Sequence, residues 1–306
     1  MADFKNKFSW SKSRDGIFNE CERKYFYNYY GSWGGWKDDA DRRVRQIYVL
    51  KNLSSRHMWL GSIVHEYVGF LLGRLRHGHE ADLYTLLGNL RRAMKQDFEN
   101  SEKGLYTKYP KLSGRQYGLF EHEYNIFVSN DEWKEIFDRA ENCVTNLFNS
   151  DLLQYIKSIN VADWMPIESL QNFDFEGTPV WVQIDFALKD RDKIVLFDWK
   201  TGKVRYDEMD VQLSCYGLYS HQKWDVAPEN IVCKKYNLRI DKVDDYEIND
   251  EVVEKVKVHM RDSIASMKKL LTDEENNIAK EEDFKVTEDD KICRSCNFKK
   301  ICPKWD

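Results

Sequence analysis

Pro179-Val-Trp-Val-Gln-Ile-Asp185-Phe-Ala-Leu-Lys-Asp-Arg-Asp-Lys-Ile-Val-Leu-Phe-Asp198-Trp-Lys200-Thr-Gly-Lys203 is the stretch on which the fold turns. Two runs rich in Val, Ile, Phe and Trp flank the polar patch Lys189–Lys193, a pattern that predicts a β-hairpin with a short polar turn. Alternation along the first run places Trp181, Gln183 and Asp185 on one face. The second run is apolar from Ile194 to Phe197, as in a strand buried on both faces, and then presents Asp198, Trp199 and Lys200. Asp198 and Lys200 point to the same side, within reach of Asp185 on the neighbouring strand. Two accounts of these groups stand side by side. In one, Asp198 and Lys200 pair at a solvated strand end, since burying such a pair is costly. In the other, Asp185 and Asp198 hold a hard divalent cation through oxygen while Lys200 sits beside the attacking water.

Upstream, the pattern from Leu60 to Ser158 is helical throughout, with the turn signals Tyr109-Pro110 and Ser113-Gly114 between short pieces. Gly61-Ser-Ile-Val-His-Glu-Tyr-Val68 opens a helix with Val64, Val68 and Leu71 on one face and His65 and Glu66 near its start. A lone helical histidine is more often structural than a ligand, so His65 needs support from elsewhere. Asp131 to Tyr155 reads as an amphipathic helix. Nearer the N-terminus, Ser11 or Ser13 caps a helix over Asp15–Tyr30, which Gly31–Gly35 ends. The aromatics of that segment lie beside Arg23 and Lys24, an arrangement that can stack on unpaired bases, but packing has the better claim on most of them. Downstream, Phe173 and Phe175 alternate in a strand before Gly177. After Thr201-Gly202 a helix spans about Met209 to His221, with Gln212 and Tyr216 at i and i+4 on one face. Either they are an ordinary polar pair in solvent or they turn back on Lys200. A further strand is expected over 229–240 and a long helix over Asn249–Leu271.

At 306 residues, 42% hydrophobic and 14% aromatic, the chain can bury a substantial core in one large or two ordinary domains. The net charge of -5 conceals an asymmetry: residues 1–60 carry 12 Lys/Arg against 7 Asp/Glu (+5), and residues 241–290 carry 8 against 17 (-9). A basic N-terminal part suits a polyanion and the acidic part does not, which argues against bulk coating of nucleic acid. No run approaches the ~18 apolar residues of a membrane span, and no apolar signal core opens the chain. A cytoplasmic, reducing location away from membranes is expected. Seven cysteines in that setting favour metal ligation over disulfides. Cys293, Cys296 and Cys302 form a C-x2-C-x5-C triplet, and Cys21 is the natural fourth ligand. Four sulfurs hold zinc or an iron–sulfur cluster, and spacing does not choose between them. Either centre would close a long loop and pin the N-terminal helix to the C-terminus.

Taken in order, these segments resemble the RecB-like branch of the PD-(D/E)xK nuclease superfamily, above all its iron–sulfur members, the AddB nuclease domain and the CRISPR-associated RecB-like exonucleases. Ser11-Lys-Ser-Arg14 with Cys21-Glu-Arg-Lys-Tyr-Phe26 is similar to the opening S-x-S and C-x-x-x-Y/F segments, and Gly61-Ser-Ile-Val-His65-Glu66 to G-x-x-x-H-E. Val182-Gln-Ile-Asp185 stands at G-x-x-D, Asp198-Trp-Lys200-Thr-Gly202 at D-x-K-T-G, Gln212-Leu-Ser-Cys-Tyr216 at Q-x-x-x-Y, and the tail at the closing cysteine motif. The resemblance implies an α/β fold: a PD-(D/E)xK restriction-endonuclease-like core with a central mixed sheet flanked by helices, a large helical insertion, and an iron–sulfur cluster joining the N- and C-terminal segments. It divides the chain into a cluster-ligand segment (1–59), a helical region carrying the histidine (60–160), the nuclease core (161–280) and the cysteine segment (281–306). By resemblance His65, Asp185 and Asp198 are ligands of Mg2+ or Mn2+, with the Trp199 carbonyl as a further one. Lys200 is the catalytic lysine, Gln212 and Tyr216 support it, and Cys21, Cys293, Cys296 and Cys302 hold a 4Fe-4S cluster. Two positions depart from the pattern. Val182 stands where the family prefers glycine, which narrows the approach to Asp185, and the bulky Trp199 precedes Lys200; neither removes a functional group.

The implied activity is that of a metal-dependent DNA nuclease, a single-strand exonuclease of DNA repair, recombination or CRISPR-type antiviral processing. Its partners would be single-stranded DNA or DNA ends, with a helicase or CRISPR adaptation proteins beside it. The chain has no G-x-x-x-x-G-K-[ST] motif, so unwinding falls to a partner. The helical block would wall a channel for the strand. The rival reading is a non-catalytic iron–sulfur DNA-binding subunit of a recombination or spacer-acquisition complex, told apart by incubation with end-labelled single strands and Mn2+. A third, a zinc-stapled structural protein, would be colourless.

Overall fold

In the computed structural model, described over residues 5–108, 118–165, 167–203 and 209–305, the quoted stretch contributes to two hairpins rather than one. Ser169–Phe175 (β1) pairs antiparallel with Thr178–Ile184 (β2) across Glu176-Gly177, both with positive φ. Such a two-residue turn matches the strands' right-handed twist, and glycine takes that backbone at no steric cost. The chain bends at Asp185 and resumes as Phe186–Asp190 (β3), which pairs antiparallel with Lys193–Lys200 (β4) around Arg191-Asp192. The expected single strand through Asp185 is therefore corrected. Alternation ends at Ile184, and Asp185, Phe186 and Ala187 are buried in succession. The bend takes Asp185 off the outward face of Trp181 and Gln183 and turns its carboxylate inward.

β4 is the centre of the sheet. It pairs parallel with Ile231–Asn237 (β5), which pairs antiparallel with Lys242–Glu247 (β6), so the order β3-β4-β5-β6 makes a mixed sheet. Alternation along β4 separates two cores. Ile194 and Leu196 face one side with Ala187, Ile231 and Cys233. Val195, Phe197 and Trp199 face the other with Phe186, Leu188 and Tyr236. Each large apolar side chain so buried contributes roughly 1.5–3 kcal/mol. Trp199 spends its bulk in the second core, stacked on Phe197, so it does not crowd Lys200 on the opposite face.

The main helices are Lys12–Glu20 (α1), Glu22–Phe26 (α2), Arg42–Lys51 (α3), Arg56–Arg76 (α4), Leu83–Glu102 (α5), Asn130–Asn149 (α6), Asp151–Ser158 (α7), Val211–Trp224 (α8), Asp250–Lys268 (α9) and Asp290–Arg294 (α10). α4 to α7 supply the second core; α8, α9 and the N-terminal segment supply the first. Several boundaries differ from the periodicity because a cap sits inside an apolar run. Cys21 adopts an extended backbone, ends α1, and accepts the Lys24 N–H at 3.4 Å as the cap of α2, so the expected helix Asp15–Tyr30 is split there. Ser150 likewise ends α6 and caps α7 within the expected helix Asp131–Tyr155. Ser55 starts α4 at Arg56 rather than Gly61. The block is not wholly helical either, since Gly118–Leu119 pairs with Leu53–Ser54. The turn signals Tyr109-Pro110 and Ser113-Gly114 lie outside the described residues.

The two ends of the chain meet on the core. The Trp10 N–H donates to the Pro179 carbonyl and the Trp181 N–H to the Trp10 carbonyl, which extends the edge of β2. Ser11 caps α1 as expected. Asp15 is buried, with Ser263 donating to it at 2.8 Å and His259 Nε2 at 3.1 Å. Burial alone would raise its carboxyl, but those partners outweigh it and hold the pKa down to about 2. At the other end, the Arg23 N–H donates to the Lys285 carbonyl, and Glu281 accepts from Arg23, Arg43 and Tyr27. Among the described residues no helix is long and apolar enough to cross a membrane.

Candidate active site and cysteine pocket

The expected site residues come from four elements and meet at the C-terminal end of β4. α4 delivers His65, the bend before β3 delivers Asp185, β4 delivers Asp198 and Lys200, and α8 delivers Gln212 and Tyr216. Asp185 spans the first two groups. Its Oδ2 accepts the Trp199 N–H at 2.7 Å, which fixes the carboxylate against β4, while Oδ1 lies 3.3 Å from His65 Nδ1. His65 Nε2 is 3.0 Å from the Trp199 carbonyl oxygen. A carbonyl only accepts, so Nε2 carries a proton, and two carboxylates at Nδ1 hold a second. Burial opposes that charge, yet Asp185 and Glu168 prevail and push the His65 pKa up to about 10.

Glu168 is the residue that sequence reasoning missed. Its Oε1 lies 3.4 Å from His65 Nδ1 without an aligned hydrogen-bond donor, and its Oε2 accepts from Gln183. His65, Glu168 and Asp185 offer ligand atoms within 4.8 Å of one another. Glu168 reaches them from a left-handed backbone (φ 46°), with its N–H on the Asp185 carbonyl. The only trace in the sequence is Gly69, one helical turn beyond His65, where an added Cβ would stand 3.2 Å from Glu168 Cγ. Gly69→Ala is expected to stabilise α4 by about 1 kcal/mol while displacing Glu168 and weakening Mn2+ binding severalfold. Parallel melting and Mn2+ titration check this opposition of signs.

Asp198 is 1% exposed, and neither of its oxygens has an aligned hydrogen-bond donor. Lys200 Nζ lies 2.7 Å from Oδ2 as an ion-pair contact. Burial raises the Asp198 pKa; Lys200 opposes the rise and Asp185 adds to it. A buried carboxylate left this way is costly unless a cation completes its environment. With the acids of the neighbouring group, hard oxygen donors and one imidazole fit Mg2+ or Mn2+. Asp198 lies beside the His65–Glu168–Asp185 group rather than inside it.

The orientation of Lys200 follows from a chain of hydrogen bonds. The Gln183 carbonyl can only accept, so the Tyr216 hydroxyl donates to it. Tyr216 oxygen then accepts from Gln212 Nε2 at 2.7 Å, which turns Gln212 Oε1 to Lys200 Nζ at 3.0 Å. Burial raises the Tyr216 pKa well above the usual phenol range, so the hydroxyl keeps the proton the chain needs. The i, i+4 pair on α8 is thus a directional support for the lysine, not a solvated pair. Val182 is buried with the first core and borders the hollow in front of Asp185.

The other predicted constellation also converges. Cys21, Cys293, Cys296 and Cys302 line one small pocket closed by Tyr27, Phe298 and Trp305. All four are free thiols; burial pushes Cys296 up to about 11 and raises Cys302.

A mixed sheet flanked by helices, with acids, a histidine and a lysine gathered at the end of an inner strand, is an arrangement whose donors could hold a divalent cation. The sequence profile of the PD-(D/E)XK nuclease superfamily matches residues 9–303, and the chain belongs to that superfamily. No curated protein matches the chain. A solved structure described as "Crystal structure of SSO0001" is similar at 15% identity over 60% of this chain and 78% of that one, with a TM-score of 0.31.

Proposed function

We propose that the protein is a Mg2+- or Mn2+-dependent deoxyribonuclease acting as an exonuclease on single-stranded DNA, in repair, recombination or CRISPR-type processing. The observation that carries this reading is the buried Asp198, ion-paired with Lys200, beside a histidine–carboxylate group and with that lysine held from behind. When bound, the cation supplies a Lewis acid for the phosphoryl oxygen and a more acidic water. His65, Asp185, Glu168 and Asp198 are the residues that would hold it. Lys200 donates to Gln212 and pairs with Asp198. It orients the attacking water or neutralises charge growing on the phosphoryl oxygens. The Gln212–Tyr216–Gln183 chain keeps Lys200 aimed as charge develops.

The four cysteines are assigned to a 4Fe-4S cluster, a reading supported by the pocket they share. The test of the nuclease reading is the product ladder from 5′- and 3′-labelled single strands with each metal. Products shortening from one end are expected, and no cleavage with either metal by cluster-loaded protein would overturn it. Metal binding should also be proton-linked. His65 must lose its imidazolium proton to become a ligand, so Mn2+ affinity rises about tenfold per pH unit from neutral pH up to about 10. Calorimetry in buffers of different ionisation enthalpy reads the released proton directly.

A further inference from the structure

Beside the site is a hollow of about 350 Å³ whose wall includes His65 and Asp185 on one side and Leu170 and Trp181 on the other, with Lys12 at its edge. Trp181 is 37% exposed, whereas Trp10, Trp59 and Trp199 are buried to within 1%. It stands on the outward face of β2, where alternation calls for a polar residue and where its neighbour on that face is Gln183. Leu170, on the outward face of β1, is 59% exposed and lies diagonally across the strand pair, opposite Gln183. Two exposed apolar side chains on one face, opening into the cavity that holds the metal-site residues, are not explained by packing. The β2 edge at Trp181 is tied to the N-terminal segment by the Trp181 N–H, which donates to the Trp10 carbonyl at 2.8 Å.

We propose that Trp181, with Leu170 beside it, stacks on the nucleobase next to the scissile phosphate and so requires an unpaired strand. This rests on the nuclease reading and deepens it. The faces of a base inside a duplex are already covered by its neighbours, whereas a single-stranded base offers a free face to an aromatic ring. Lys12, whose Nζ lies 3.3 Å from Asp15 Oδ2, lines this hollow and also the larger one bordered by Lys200.

Stacking of one base contributes about 1–3 kcal/mol by alanine substitution. Trp181→Ala should therefore raise KM for a single-stranded oligonucleotide about tenfold with kcat within about twofold, while Trp181→Phe restores most of it. An abasic residue scanned along the oligonucleotide should cost the wild-type protein the same factor at one position only, and cost Trp181→Ala nothing further there. The same scan read as binding in Ca2+, without turnover, separates the two claims. Loss of affinity at one abasic position supports stacking even if no strand is cut, which would sink only the nuclease reading. A wild-type protein that cuts single strands, yet shows no position-specific abasic effect and no change in Trp181→Ala or Leu170→Ala, overturns the stacking platform. The abasic arm needs no variant, so a misfolded substitution does not blunt the test.

Discussion

Asp198→Asn should reduce cleavage about 10³-fold or more and yet leave the metal-free protein at least as stable as before. Both Asp198 oxygens are buried without an aligned donor, and the partly exposed Lys200 only partly offsets the cost of burying the charge. Removing it should add about 1 kcal/mol, a rise of about 2–4 °C in Tm for a chain of this size. Lys200→Ala should abolish cleavage to the same degree with the opposite effect on stability. It strips the buried carboxylate of its counter-charge, at about 3 kcal/mol, the low end for buried pairs because the lysine is partly exposed. That loss depends on pH with a definite sign. The Asp198 pKa is raised in the folded state, so the penalty is present above the raised value and fades as acid protonates the carboxylate. Melting curves at two pH values, beside cleavage assays, test all of this. If both variants destabilise alike at every pH, Asp198 is an ordinary structural acid.

The second large effect concerns the cysteine pocket. With the proposed 4Fe-4S cluster, which would colour the protein brown, Cys293→Ala should bleach that colour and lower Tm by about 10 °C or more, because metal binding by preorganised ligands is folding free energy. The loss should not amount to complete unfolding. Arg23, Tyr27 and Arg43 still hold Glu281, and Tyr25 and Phe26 still pack on Phe284, so the two ends keep a direct contact. Limited proteolysis should therefore cut first near residues 285–305. The disturbance should reach the active site weakly, through α2 and Cys21 to α1, whose first residue Lys12 borders the catalytic hollow. Substituting Cys143, which is buried in the other core and takes no part in the pocket, should leave the colour intact.

The parts of this site that could be read from the chain share one property: their local pattern and their final environment agree. Ile194–Phe197 reads as a doubly buried strand and is one, so Asp198 and Lys200 fall where alternation puts them. Gln212 and Tyr216 lie a helical turn apart on α8, which does turn back toward β4. The C-x2-C-x5-C triplet and Cys21 reach one pocket because a thiol cluster has few other uses. What was not legible depends on breaks and on distant contacts. Alternation assigned Asp185 to the face of Trp181; the bend after Ile184 moved it inward, and nothing in the side-chain pattern marks that bend. Glu168 belongs to no periodic run and gains its place through contacts distant in sequence, with Gln183, the Asp185 carbonyl and the His65 and Gly69 side of α4. Cys21 and Ser150 interrupt helices whose apolar spacing continues across them, since capping overrides periodicity when the next segment must change direction.

The central claim is that one divalent cation is held by the His65–Glu168–Asp185 group and by Asp198 beside it, next to Lys200. Anomalous scattering from a crystal of the protein soaked in Mn2+ tests it most directly. The account predicts a single strong peak within about 2.0–2.3 Å of carboxylate oxygen from Asp185 and Asp198, present in the wild-type chain and absent in Asp198→Asn. A peak elsewhere, or an unchanged peak in Asp198→Asn, would contradict it.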